Sequence, residues 1–394
     1  MTTGIPVIPK HGAVQSSLFL RFAAVILVGV AGAFSSIAMP GILLTLSENA
    51  DFPADRAAMF ASLELGGMMV SILVIGQMLN GRHRKALLAG ALAAIIIGNG
   101  LSMLSYRSDT ILMARLLTGV GEGIAVGALG AAATAFPNPD RLFALFMSTN
   151  LGLVTAYLFF LPVIVTTGGI ESAFIVLAGW GVLGLLVLPF FPVAASQEVP
   201  NTRPETRTRP LAFSRNAVLG LAGCFGLNTG VGMIWPFMGS LGQARGIPAE
   251  AISTDLAMAT FAGIAAGLCA ALLGLRLGRC LPLALATLGL VLSSAGLAWS
   301  GTDFALCAIM FLFFWTFATS YFMGTVVTAE DGAKAAVLIP AMQLGGLALG
   351  PQLSAPIMAH FALPWIVAGG ALLCALSALA AVAANRQRPV TAEN

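Results

Sequence analysis

The chain has 394 residues, 58% of them hydrophobic and only 9% charged, with a formal net charge of +3 and a mean hydropathy of +0.94. A soluble domain of this length could not hide so much apolar surface, because its surface-to-volume ratio does not allow it. The small positive excess fits loops facing an anionic membrane surface and gives no reason to expect nucleic-acid binding.

Apolar runs of about 20 residues match the hydrocarbon thickness of a bilayer at ~1.5 Å rise per residue, and twelve such runs follow one another. In chain order they are Phe22–Leu46, Ala57–Leu79, Ala86–Tyr106, Ile111–Ala135, Leu142–Thr166 and Ser172–Ala194, then Asn216–Gly239, Ala251–Leu275, Leu281–Ser300, Phe304–Thr328, Ala333–Met358 and Leu363–Ala384. The runs are continuous, without the alternation of a transmembrane β-strand. The polar stretch before the first run carries Pro6, Pro9 and Lys10, and that run is of full spanning length, so it reads as a retained helix and not as a cleaved signal. The fold class expected is an all-α polytopic membrane protein with twelve transmembrane helices.

Fifteen of the nineteen Lys and Arg residues fall in alternate gaps, with clusters at Arg82, Arg84 and Lys85, at Arg203, Arg207 and Arg209, and at Arg276 and Arg279. Only Arg56, Arg107 and Arg245 lie on the opposite side, and Arg115 falls within a run. Cytoplasmic loops carry the excess of Lys and Arg, so both termini are expected in the cytoplasm of a multi-pass inner-membrane protein. The longest polar interruption, SQEVPNTRPETRTRP at 196–210, is too rich in Pro and Arg to bury a core and reads as a linker. It divides the chain into two six-helix bundles, 1–195 and 211–394, the layout of a two-domain rocker. The five Cys lie in or beside apolar runs without metal-ligand spacing, so they read as packing thiols, and neither a metal nor a cofactor is implied.

Each half places a basic turn between its second and third runs. The first reads Gly76-Gln-Met-Leu-Asn80-Gly-Arg82-His83-Arg84-Lys85 and the second Gly274-Leu-Arg276-Leu-Gly278-Arg279. Equivalent turns in both halves point to duplication. The chain resembles the major facilitator superfamily over essentially its whole length. The loop motif of that family, G-x-L-a-D-r-x-G-r-k, is matched at Gly76, Arg84 and Lys85, with Asn80 in the Asp position, and the second copy keeps Gly278 and Arg279. The fourth-run motif R-x-x-x-G-x-G is matched by Arg115, Gly119 and Gly121, and Gly346, Gly350 and Pro351 match a G-x-x-x-G-P pattern in the eleventh. The fifth-helix version of that pattern is associated in the family with proton antiporters, whereas Gly152 and Pro162 here stand at another spacing. The resemblance implies two pseudo-symmetric bundles, a gating latch at the basic turns, and a central cavity bounded by the first, fourth, seventh and tenth helices. On physical grounds alone, Gly346 and Gly350 form a small-residue stripe for close helix approach and Pro351 a hinge, with substrate contact as the alternative.

Ionisable groups within spans are costly and mark function. The chain has Glu64 in the second run, Arg115 and Glu122 in the fourth, and Asp255 at the outer start of the eighth, where it reads as a helix-start charge. Arg115, Gly119 and Glu122 share one face, and Glu122 lies about 17 Å along the axis from Ile111. A carboxyl group at that depth can take up and release a proton. Two readings stand side by side: proton coupling through Glu122 or Glu64, and a static Glu64–Arg115 pair with Glu122 neutral and hydrogen-bonded.

Uncharged groups are left to contact a substrate. They are Ser35 and Ser36 in the first run, Asn150, Thr155 and Tyr157 in the fifth, Asn228 and Trp235 in the seventh, Trp315, Thr319 and Tyr321 in the tenth, and Gln343 in the eleventh. For each Trp an interface-belt position is the competing reading. With so few carboxylates and amides, a modest aromatic or amphipathic solute suits the set better than a sugar. The expectation is a secondary active transporter, a monomer in the lipid bilayer, moving a small organic solute with H+, export placed ahead of uptake. A facilitator, a membrane-embedded enzyme and a channel are the alternatives, and the chain has neither a catalytic constellation nor the charged rings of a channel.

Overall fold

The computed structural model describes residues 11–50, 52–75, 83–105, 109–133, 135–136, 138–192, 213–329 and 332–386. Gly76, Asn80, Arg82 and the linker at 196–210 lie outside them. The first helices are α1 (His11–Ala50), α2 (Ala54–Ile75), α3 (Arg84–Ser105) and α4 (Thr110–Ala133). The chain from Pro139 to Val187 is helical except at Gly169, whose φ of 74° and ψ of 174° break it. A positive φ of this kind is open to glycine and rare for other residues.

That single residue reverses the chain. The ring of Phe34 in α1 lies 5.3 Å from Tyr157 and 5.2 Å from Trp180, although a straight helix would hold those two residues about 34 Å apart. The Ser172 hydroxyl donates back across the bend to the Ile164 carbonyl at 2.8 Å. The two arms are therefore separate crossings, α5 (139–168) and α6 (170–187). Among the described residues eleven helical stretches are long and apolar enough to span a bilayer, and one of them, Arg141–Phe190, crosses twice. Twelve crossings result.

The second set is α7 (Arg215–Ile234), α8 (Ala249–Leu273), α9 (Cys280–Ala298), α10 (Phe304–Val327), α11 (Ile339–His360) and α12 (Pro364–Arg386). Side-chain caps mark two of the starts: Ser214 accepts from the Ala217 amide at 3.4 Å and Asp303 from the Leu306 amide at 2.9 Å. Prolines explain three departures from the expected runs. The run expected to reach Ala194 ends as helix at Val187, and a 3-10 turn containing Pro189 follows. The seventh run is broken at Pro236 into α7, a 3-10 turn at Trp235–Phe237 and a short helix at Met238–Gln243. The eleventh begins as a short helix, Gly332–Ala336, and restarts at Ile339 just ahead of Pro340.

Within the first half α4 packs on α2 and α3, and α1 packs on α5 and α4; within the second, α7 packs on α11 and α12, and α10 on α8 and α9. Glycines set the closest approaches. A Cβ built on Gly119 would strike the Glu64 carbonyl of α2, and one on Gly121 the Ala91 carbonyl of α3. Likewise Gly346 and Gly350 lie against the Phe225 carbonyl and the Gly232 backbone of α7, so both motif stripes are helix-packing seams. Pro351 is buried beside this seam, and Ser354 one turn on donates to the Met233 carbonyl at 3.0 Å.

The halves meet along α2 with α11 and α5 with α8. At the end of the bundle opposite to residues 11 and 386, α1 also packs on the extension of α7, where Gly239 sits against Leu44 and Gln243 bonds to Ser47 at 3.3 Å and Glu48 at 3.2 Å. Among the described residues no such packing joins α4 to α10 at the other end. Large apolar side chains such as Leu104, Leu272 and Leu379 cover the outer face, as a multi-pass membrane protein requires.

Candidate functional site

A buried charged cluster occupies the first half. Arg115 of α4 and Glu64 of α2 are both 0% exposed and pair at 3.2 Å. Every Arg115 nitrogen has a partner. Nη1 donates to Glu64, Nε to Ser102 Oγ at 3.1 Å, and Nη2 to Ser102 Oγ at 2.7 Å, Asn99 Oδ1 at 3.0 Å and the Gly98 carbonyl at 3.3 Å. The guanidinium also faces the rings of Phe60 at 5.1 Å and Phe174 at 5.4 Å. The second Glu64 oxygen accepts from the Ser35 hydroxyl at 2.6 Å. One carboxylate thus answers one guanidinium, with hydrogen bonds filling the remaining positions, the arrangement a buried ion pair needs to persist.

Glu122 lies two turns further along α4 and is 1% exposed. Its Oε2 has no hydrogen-bond partner among the described residues. Few buried polar atoms in folded proteins are left this way, and those that are call for a reason. The electrostatic surroundings of Glu122 are Glu64 and Arg115, so the three groups form one cluster.

Beside the cluster, between the halves, is a cavity of about 250 Å³. Ser36, Met39, Leu65, Met147 and Leu151 line it from the first half; Asn228, Trp235, Trp315, Thr316, Thr319 and Gln343 are among its residues from the second. No ionisable side chain is in its wall among the described residues. Trp235 and Trp315 stand 5.9 Å apart at 53°, forming an aromatic corner, and the indole Nε1 of Trp235 has no partner among the described residues. Asn228 donates to the Cys224 carbonyl at 2.8 Å, which leaves its Oδ1 as an acceptor. Trp235 and Pro236, at the break in α7, both line the cavity.

Other residues singled out from the sequence lie elsewhere. Asn150 is 0% exposed with neither amide atom partnered among the described residues, one position from the lining residue Leu151. Tyr157 packs on Phe34, and Thr155 bonds its own helix at Leu151. Tyr321, expected in the central cavity, instead donates to the Gly274 carbonyl at 3.0 Å and borders a separate hollow of about 300 Å³ with Arg279. Its position near the end of α10 puts it beyond reach of Trp315, more than a turn back along the helix. At the basic turns, Gly278 has a φ of 65°, Arg279 bonds Thr328 Oγ1, Arg84 is buried, and Lys85 donates to the Pro189 carbonyl at 2.9 Å. Sequence reasoning missed Asn99 and Ser102, the α3 partners of Arg115; their spacing of three in an apolar run was the available signal.

The comparisons with known proteins agree with this architecture. The sequence profile of the Major Facilitator Superfamily matches residues 24–331. No curated protein sequence matches the chain. A crystal structure of a point mutant of the nucleoside transporter NupG superposes with a TM-score of 0.67 at 13% identity, covering 93% of this chain and 99% of that one, a likeness of fold alone. Twelve crossings in two bundles, small-residue seams at the motif glycines and a profile match over most of the length converge on one conclusion: the chain belongs to the Major Facilitator Superfamily.

Proposed function

We propose that the protein is a proton-coupled secondary transporter that exports a small, uncharged aromatic or amphipathic solute by alternating access, acting as a monomer. The observation that carries this reading is the cavity between the halves, walled by two Trp, aliphatic and Met side chains and a few uncharged polar groups. A wall of this kind binds a planar apolar body and orients it with one or two hydrogen bonds. Its volume, just under the usual ~300–1,000 Å³ of drug-sized sites, favours a small solute. Among the described residues α1 and the extension of α7 close the halves at one end, and no matching packing joins α4 to α10 at the other, which supports a rocking cycle. If the loops rich in Lys and Arg face the cytoplasm, the open end is the cytoplasmic one.

Glu122 is the proton carrier in this proposal, because among the described residues it is the carboxyl of the cluster with no ion-pair partner; Glu64 and Arg115 supply the fixed charges beside it. The test uses inverted membrane vesicles energised to an acidic interior, with a panel of aromatic and amphipathic solutes that includes nucleosides. A transported solute dissipates the proton gradient on addition, and Trp315→Ala raises its half-saturating concentration about tenfold, the weight of a good aromatic contact. A panel in which no solute moves protons would overturn export by antiport, and accumulation with protons in the opposite sense would assign uptake.

A further inference from the structure

Two helices pass from the charged cluster into the cavity wall within one residue. Ser35 of α1 donates to Glu64 at 2.6 Å and its neighbour Ser36 lines the cavity; Glu64 of α2 belongs to the ion pair and its neighbour Leu65 lines the same cavity. Three residues before Ser35, α1 touches the third member of the cluster: a Cβ built on Gly32 would lie 2.7 Å from the Glu122 carbonyl oxygen and 2.9 Å from Ala125. Gly32, Ser35 and Ser36 are spaced i, i+3, i+4, so little more than one turn of α1 meets the backbone of the proton-carrying residue, the ion pair and the solute space.

We propose that this turn of α1 links protonation to solute binding, with Ser35 as the positioning residue that ties Glu64 to the cavity wall. The inference rests on the proton-coupled reading above. Among the described residues the titratable groups facing the cluster are Glu64 from α2, Arg115 and Glu122 from α4, and Tyr157 from α5; α1 and α3 offer it uncharged donors and acceptors, and α6 the ring of Phe174. Release of the Glu122 proton to water leaves a second carboxylate near Arg115, which then divides its attraction between Glu64 and Glu122. Ser35 follows the Glu64 oxygen it is bonded to, and Ser36 turns with it in the wall. No other bond is made or broken. Packing at Gly32 leaves no slack between α1 and α4, so a movement of one is felt by the other.

The experiment reads the cavity through its own indoles. Replacing Trp180, Trp299 and Trp365 by Phe leaves Trp235 and Trp315, whose quenching by acrylamide is measured on the purified full chain between about pH 5.5 and about pH 8.5. The quenching constant is expected to change at least about twofold across that range, less than the ~5–150-fold that site-to-site coupling gives in affinity. Ser35→Ala and the near-isosteric Ser35→Cys, a weak donor, should flatten the change to below about 1.2-fold, while Ser35→Thr, which keeps the hydroxyl, should retain it. Glu122→Gln should also flatten it. A full pH response in both Ser35→Ala and Ser35→Cys, with Glu122→Gln flat, would overturn the link and leave the proton reading standing. A full response in Glu122→Gln as well, or none in the parent protein, would overturn both.

Discussion

Gln243, from the short helix that extends α7, donates its Nε2 to the carboxylate of Glu48 at the end of α1, 3.2 Å away, and its Oε1 accepts from Ser47. The contact joins residues of opposite halves at the closed end, next to the seat of Gly239 on Leu44. In a rocker this end must open in every cycle. Cysteines at Ser47 and Gln243 should therefore cross-link on oxidation and stop transport fully, with recovery on reduction. Continued solute flux through the cross-linked protein would identify a channel-like path.

The Arg115–Glu64 pair gives a quantitative expectation. Neutralising one partner leaves the other charge buried and unanswered, which costs about 3–5 kcal/mol. Arg115→Met and Glu64→Gln should each lower folded yield and thermal stability in detergent steeply. The double variant should recover part of the loss, because the orphaned charge is gone. Stability changes that simply add would show that the two residues act independently.

Glycine substitutions separate seam from surface. Gly119→Ala and Gly350→Ala each drive a methyl into facing backbone and should destabilise by about 1–3 kcal/mol. Gly66→Ala and Gly100→Ala meet nothing within 4 Å, so the better helix propensity of Ala should leave stability unchanged or raise it by up to about 1 kcal/mol. Thermal unfolding of the purified variants in one detergent checks the difference in sign.

The proposed orientation rests on charge alone and is open to direct labelling. In a background without native cysteines, Pro53→Cys and Ser300→Cys should react with an impermeant maleimide from outside the cell, and Leu277→Cys only from the cytoplasm. The reverse pattern would invert the direction of every step proposed here.

How far the sequence reaches depends on whether a feature is local. The crossings are local, because each is a run of apolar side chains between charged turns, and even the fold-back at Gly169 falls in the short gap between two such runs. The Arg115 and Gly119 motif was legible for the same reason: spacing along one helix puts them on one face. Partners across helices were less so. Asn99 and Ser102 sit on α3 in an otherwise apolar run, and only the packing of α3 on α4 shows that they hold Arg115. Ser35 read as a solute contact, whereas a rotation of about 100° per residue sends it to Glu64 and leaves Ser36 at the cavity. Tyr321 failed for a related reason, since membership of a cavity-lining helix does not set depth along it.

In the proposed cycle Glu122 carries the proton whose movement drives the solute. The most direct measurement compares two modes of transport in proteoliposomes, using the solute identified by the vesicle panel: accumulation against a gradient under an imposed pH difference, and equilibrium exchange without one. Glu122→Gln holds that side chain in an uncharged form. The variant should lose gradient-driven accumulation and keep exchange within about threefold, because binding and rocking are intact and only the driving step is gone. Wild-type accumulation by Glu122→Gln would contradict it.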